Sequence, residues 1–225
     1  MLTGLKSISD VDWGKGAQPG THQAFCSATF VGTPEALDGF VKAVGIPHAN
    51  VAAPLEPAEG QELSAAAAAA AADYESRLKQ AAAALGLQTA GGFPRFDLML
   101  LGMGADGHVG SLYPHKPTLE ETDAWVLPFQ KSAEAASITL SLPVMSAGRD
   151  VVICLTGEKK ASGQAWRRGL MLGPFAWAPC RAPAVKLAIE GAAAPGELPG
   201  AMVAPAADAQ LTWLLDSAAA AQLGS

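Results

Sequence analysis

The sequence is poor in cysteine, poor in charge and without a block of either sign. Its three cysteines, Cys26, Cys154 and Cys180, are odd in number and widely spaced. There is no CxxC, and His22 with Cys26 has no second pair to complete a metal set. This pattern argues against a disulfide framework and a structural zinc site, and a reducing compartment is expected. Charged residues make up 16% and the net charge is -6. With no Lys/Arg-rich run there is no basic face for a phosphate backbone, which argues against nucleic acid as a partner. The first dozen residues have no apolar h-region and carry acids, against a signal or transit peptide. The apolar run 65–72 is far too short to cross a bilayer. The reading is of a soluble protein of the cytoplasm or plastid stroma.

What is present is apolar sequence, 50% of 225 residues, enough for a sizeable core in a single domain over 1–225. Residues 1–35 are rich in Gly, Thr, Ser and Pro and irregular. Residues 35–45 put Leu37, Phe40, Val41 and Val44 on one helical face before Gly45 and Pro47. The pattern from Gln61 to Leu87 is helical, with Ser64 near its start and Tyr74, Leu78, Ala81 and Ala82 at helical spacing. Phe96 to Leu101 (FDLMLL) and Asp150 to Thr156 (DVVICLT) are short apolar runs of the kind buried on both faces of a parallel sheet. Residues 138–142, 201–203 and 211–215 are expected as further strands. Helices are expected over 157–172 and 217–223, the last capped by Asp216. Alternation of buried strands and helices predicts a three-layer α/β domain.

Chemistry concentrates in Gly102-Met103-Gly104-Ala105-Asp106-Gly107-His108. A buried strand runs straight into this loop, and open α/β sheets bind ligands beyond the carboxyl ends of their strands. Its glycines permit positive φ and let backbone N–H groups approach an anion. Gly102, Gly104 and Gly107 formally spell GxGxxG. A dinucleotide site also needs an uninterrupted helix and an acid closing a second strand. Pro114 interrupts any helix and Asp123 precedes Trp125-Val126, so that reading is rejected. Hydrolysis fits better. Opening a cyclic ester needs water made nucleophilic near neutrality, the range in which histidine works. A carboxylate within reach can orient the imidazole, and loop amides can face the developing oxyanion. A histidine alone in a loop is more commonly a solvated one; the glycine loop at a strand end is what singles out His108. His48 and His115 read as solvated loop histidines. Ser111 reads as a turn or capping residue, because Tyr113 breaks the G-x-S-x-G elbow.

The run LLGMGADGHVGSLYP closely resembles the DGH-containing motif of the 6-phosphogluconolactonase family, in which a Ser-Leu-aromatic-Pro sequence follows. ITLSLPVMSAGRDVVICLTGEKKA, residues 138–161, resembles that family's second block, and Trp213-Leu214-Leu215-Asp216 its C-terminal end. FPRFDLMLLGMG and DYESRLKQ look most like plant and algal members. The resemblance spans about residues 47–217. It implies a Rossmann-like sandwich with a mostly parallel sheet, related to ribose-5-phosphate isomerase and CoA-transferase domains. It also implies hydrolysis of 6-phosphoglucono-δ-lactone without metal or cofactor, in the oxidative pentose phosphate pathway. His108 would be the general base and Asp106 its partner. Gly102, Gly104, Gly107 and Lys160 would contact the substrate. Lys160 follows Gly157 near an expected helix start, where an anion is welcome. The sibling glucosamine-6-phosphate deaminases continue their DGH loop with an Asn-Glu-Pro type ending, so Ser111-Leu112-Tyr113-Pro114 sits on the lactonase side.

Three family features are missing. The sequence begins after the expected strand and Gly/Ser-rich phosphate turn, it has no Asp-Glu-Arg after Asp12-Trp13, and Ser137 stands where Arg usually precedes the second block. Arginine forks hold phosphates, and each charge-assisted bond contributes roughly 1.5–3 kcal/mol. Arg149, Arg167 and Arg168 are candidates to substitute. The competing reading is a catalytically impaired relative with a binding or structural role in an assembly with a protein partner.

Overall fold

The computed structural model describes residues 54–55, 61–133, 135–155, 182–191 and 193–224. These divide into two compact units, one holding residues up to Leu87 together with Val126–Thr139, the other Gln88–Trp125 with Leu140 onward. The helices expected over 35–45 and 157–172, and the candidates His22, Cys26, His48, Lys160, Arg167 and Arg168, lie outside the described residues. Among the described residues no helix is long and apolar enough to cross a membrane.

The first unit is built on helix α1, Leu63–Ala84. Glu62, not Ser64, is its N-cap: the carboxylate accepts from the Ala65 amide at 3.0 Å and from the Ser64 hydroxyl. Ala66, Ala67, Ala70, Ala71, Tyr74, Leu78 and Ala82 form the buried stripe, spaced three and four apart as a helix face requires. The helix stops at Gly86, whose φ of +60° lets its own amide reach Ala83 O and the Leu87 amide reach Ala82 O, a Schellman closure. Strand β4, Val126–Ser132, lies in the same unit, and Glu75 Oε2 accepts from the Val126 amide at 3.0 Å.

The second unit carries the parallel sheet. Its strands are β3 (Leu98–Gly102), β6 (Asp150–Leu155) and β7 (Gln210–Leu215), in that order, with β6 in the middle. A small antiparallel pair, β1 (Thr89–Ala90) with β2 (Phe93–Pro94), precedes β3. The register pairs Leu101 with Ile153 and Ile153 with Trp213, so these side chains share one face. On that face Val151 and Ile153 are fully buried and Met99 nearly so. At the N-terminal ends of the strands, Arg95 binds Asp208 at 2.7 Å, and Arg149 binds Gln88 at 2.6 Å and Asp97 at 3.3 Å. The fold class is mixed α/β with a parallel sheet, as expected.

Several elements differ from expectation. The runs around β3 and β6 were expected to be buried on both faces, yet Leu98 and Leu100 are 52% and 65% exposed and Val152 and Cys154 are half-buried. Apolar composition records what a strand tolerates, and the period-2 pleat decides which face is covered. The strand expected at 138–142 is β5, Ala135–Leu140. Pro143 does not limit it; it sits in the first turn of helix α2, Leu142–Ser146, where a missing N–H costs nothing. Within the connection between β6 and β7 stands helix α3, Ala182–Ile189. Residues 201–203, expected as a strand, belong instead to or adjoin helix α4, Pro199–Met202, opened by its proline. Asp216 caps as expected, accepting from the Ala219 amide at 2.7 Å, but residues 217–223 form successive turns instead of a helix.

The middle strand makes a clear stability test. Ile153→Ala opens a cavity at a fully buried position, and should lower unfolding free energy by about 2–5 kcal/mol, read as a shifted urea midpoint. A change below about 1 kcal/mol would show that β6 is not central to the core.

Candidate active site

The loop after β3 owes its shape to three close approaches that only glycine permits. Gly104 N donates to His108 O at 2.9 Å, and Gly107 N donates to Gly104 O at 3.1 Å. The chain thus curls so that the His108 ring lies against Gly104. A Cβ on Gly104 would stand 2.2 Å from His108 Nδ1 and Cε1 and 2.7 Å from Asp106 Oδ1. Gly107 needs its hydrogen twice over. Its φ is +82°, and a Cβ there would meet Leu198 Cδ2 at 2.3 Å. Gly200 N donates to Gly107 O at 2.9 Å, so the start of α4 buttresses the loop from behind. Over Gly102 there is open space, with nothing within 4 Å of where a Cβ would be.

A second reversal follows at once. Val109 and Leu112 exchange both backbone hydrogen bonds, Val109 N to Leu112 O at 3.3 Å and Leu112 N to Val109 O at 2.9 Å. Gly110, at φ +58°, and Ser111 are the two residues between them. A glycine with positive φ at the first central position is what a type II′ hairpin turn demands. Ser111 is therefore a buried turn residue, in keeping with its sequence reading. No α-helix leaves the loop, so the helix that a dinucleotide fingerprint requires is not found there. The next element is only a 3-10 turn, Pro117–Leu119.

Within this frame Asp106 and His108 meet. Asp106 Oδ1 lies 2.5 Å from His108 Nδ1 and 3.3 Å from the His108 amide. Partial burial pushes the Asp106 carboxyl up, but the hydrogen bond and charge of His108, with the backbone amides, outweigh it and hold the carboxyl below its ordinary value. A carboxylate at Nδ1 fixes that nitrogen as the protonated one and turns Nε2 outward as an acceptor. Tyr113 stacks on the imidazole with ring centroids 4.5 Å apart and planes 24° apart. His115, expected to be a solvated loop histidine, is exposed, with φ +56°. Arg149, a candidate phosphate contact, stands immediately before β6, whereas Gly102 pairs with Cys154 near the other end. At about 3.3 Å per residue that separation keeps Arg149 away from the loop; its Asp97 and Gln88 partners account for it. Among the described residues no group of three His, Cys, Asp or Glu could hold a metal.

Residues 34–182 match the family model described as glucosamine-6-phosphate isomerases/6-phosphogluconolactonase. The chain belongs to this family. It is 36% identical over 162 residues to "Probable 6-phosphogluconolactonase 2" of Oryza sativa subsp. indica, covering 68% of this chain and 50% of that one. It is 41% identical over 130 residues to "Probable 6-phosphogluconolactonase 4, chloroplastic" of the same rice, covering 56% and 38%. The chain thus spans about half the length of the curated relatives it matches. Its structure is similar to the crystal structure of 6-phosphogluconolactonase from Leishmania guyanensis, with a TM-score of 0.53 and 21% identity over 82% of this chain and 67% of that one. That likeness gives the family's α/β fold to this chain.

Two predictions follow from the loop geometry. Gly104→Ala should expel the imidazole from Asp106 while the fold persists, seen as a large change in the His108 ring resonances with unchanged far-UV circular dichroism. An unmoved His108 would contradict the close approach. Because the Asp106 carboxyl is held low in the folded protein, its partners stabilise the fold above the ordinary carboxylate range, and that contribution is lost as pH falls through the lowered value. Asp106→Asn should therefore flatten part of the acid-side loss of stability below about pH 4. Parallel urea-midpoint profiles for the two proteins would refute this.

Proposed function

We propose that this chain hydrolyses 6-phosphoglucono-δ-lactone to 6-phosphogluconate, a step of the oxidative pentose phosphate pathway. The observation that carries the proposal is the Asp106–His108 contact at 2.5 Å in a glycine loop at the carboxyl end of β3. In this reading Nε2 of His108 takes a proton from water as the water oxygen attacks the lactone carbonyl. Asp106 stabilises the imidazolium that results. The tetrahedral oxyanion collapses, the ring C–O bond breaks, and the leaving alkoxide recovers the proton from Nε2. The product is the open hydroxy acid, which releases its proton to solvent as the carboxylate, and the imidazole returns neutral. Each step uses water, one imidazole and one carboxylate.

Of the three loop glycines proposed to contact the substrate, Gly102 leaves open space where a side chain would stand. The amides of Gly104 and Gly107 donate inside the loop, so their part is to shape it and not to bind an oxyanion. Lys160, outside the described residues, is proposed as the contact for phosphate or lactone oxygens on the strength of the motif around it. The Ser111-Leu112-Tyr113-Pro114 ending and the names of the rice relatives favour the lactonase over the isomerase branch of the family. The proposed compartment is the cytoplasm or plastid stroma, in line with a relative named chloroplastic.

Purified protein should hydrolyse the lactone faster than the spontaneous reaction, and His108→Ala should lower the enzymic rate about 10²–10⁴-fold, the usual worth of a positioned general base. A folded sample that never exceeds the spontaneous rate would overturn the proposal in favour of a binding or structural role. Turnover of glucosamine 6-phosphate in place of the lactone would move the chain to the other branch.

A further inference from the structure

We infer that Tyr113 is a positioning residue, which fixes the plane of the His108 imidazole through the ring stack. The inference rests on the proposed role of His108 and adds a residue to that site.

The placement follows from the turn. Val109 and Leu112 close a two-residue Gly110-Ser111 hairpin by exchanging both hydrogen bonds. The residues one step outside that pair, His108 and Tyr113, are then directly opposite each other. Opposite residues of an antiparallel pair project to the same side with Cβ atoms about 4.5–5.5 Å apart. The observed ring centroids, 4.5 Å apart and nearly parallel, are what this register produces. The turn thus brings the two residues together, and their rings stack.

Its chemical effect is on rotation of the imidazole. Asp106 engages one atom, Nδ1, and a single hydrogen bond leaves the ring able to rock about it. Gly104 lies against the Nδ1–Cε1 edge, and Tyr113 covers a face. Together they leave one orientation, in which Nε2 points away from both Asp106 and Gly104. A flipped ring would set carbon Cδ2 against the Asp106 carboxylate. An aromatic face also favours the ring when it carries positive charge during turnover. Both effects need the aromatic ring and neither needs the phenol hydroxyl, so phenylalanine should serve and an aliphatic residue should not.

The test compares the unsubstituted full chain with Tyr113→Phe and Tyr113→Leu, by NMR with labelled histidine and by lactone kinetics. In the unsubstituted protein the His108 and Tyr113 rings should show a mutual NOE, and the His108 ring protons should be displaced upfield by the stacked ring. Tyr113→Phe should keep that displacement and Tyr113→Leu should abolish it. Tyr113→Leu should lower kcat about three- to tenfold with KM within about twofold, the scale of an aromatic pair contact. Tyr113→Phe should recover most of that loss. An absent NOE, or a displacement that survives in Tyr113→Leu, would overturn the inference even if no variant is active. So would a Tyr113→Phe protein as impaired as Tyr113→Leu, or a raised KM at constant kcat, which would make Tyr113 a substrate contact. Absence of turnover in the unsubstituted protein alone would instead count against the lactonase reading, because the NMR arm decides the stack by itself. If Tyr113→Leu does not fold, the NOE in the unsubstituted chain still decides.

Discussion

A carboxylate two residues before a histidine faces away from that histidine in a helix, and in a strand it shares a face with it at the spacing of a full pleat. The Asp106–His108 contact exists because the backbone between Gly104 and His108 folds back on itself, with the Gly104 amide bound to the His108 carbonyl. That curl in turn requires a residue with no Cβ at 104 and a positive φ at 107. The glycines of the motif are thus conditions for the ion pair. Their contribution to the pair is made through geometry.

The strand below the loop supplies the rigid support. β3 is hydrogen-bonded along its length to β6, and β6 to β7, so the residue at which the chain leaves the sheet is fixed by two parallel registers. The ion pairs of Arg95 and Arg149 gather at the opposite end, where the strands enter. Stability and chemistry are divided between the two ends of one sheet, an arrangement general to α/β folds. Arginines at the entry end are held by acids of the framework, and this explains why counting arginines along the sequence says little about phosphate binding.

Much of this was legible in the sequence. The long helix, the three strands of the sheet and the loop all occur close to where periodicity and glycine placed them. The Asp106–His108 pair was readable because its partners lie within one motif. What escaped depends on contacts remote in sequence or on turn chemistry. Residues 201–203 look like a strand by composition, but Pro199 opens a helix whose next glycine must bind Gly107. The Gly110-Ser111 turn carries a hairpin signal, but the GxGxxG spacing just before it is equally compatible with the start of a helix. Burial of only one face of β3 could not be read from FDLMLL, since leucine and methionine are equally compatible with either face.

The contact between Gly107 and the 198–200 segment joins parts of the chain some ninety positions apart. Loop closure over such a span is slow and comes after local structure. The final shape of the DGH loop therefore depends on a segment remote from it in the chain. Any shortened or alternatively spliced relative that ends before this segment would retain every letter of the motif and lose the backing that shapes it. Possession of the motif and possession of the formed loop are separable properties, and the second is decided far downstream of the first.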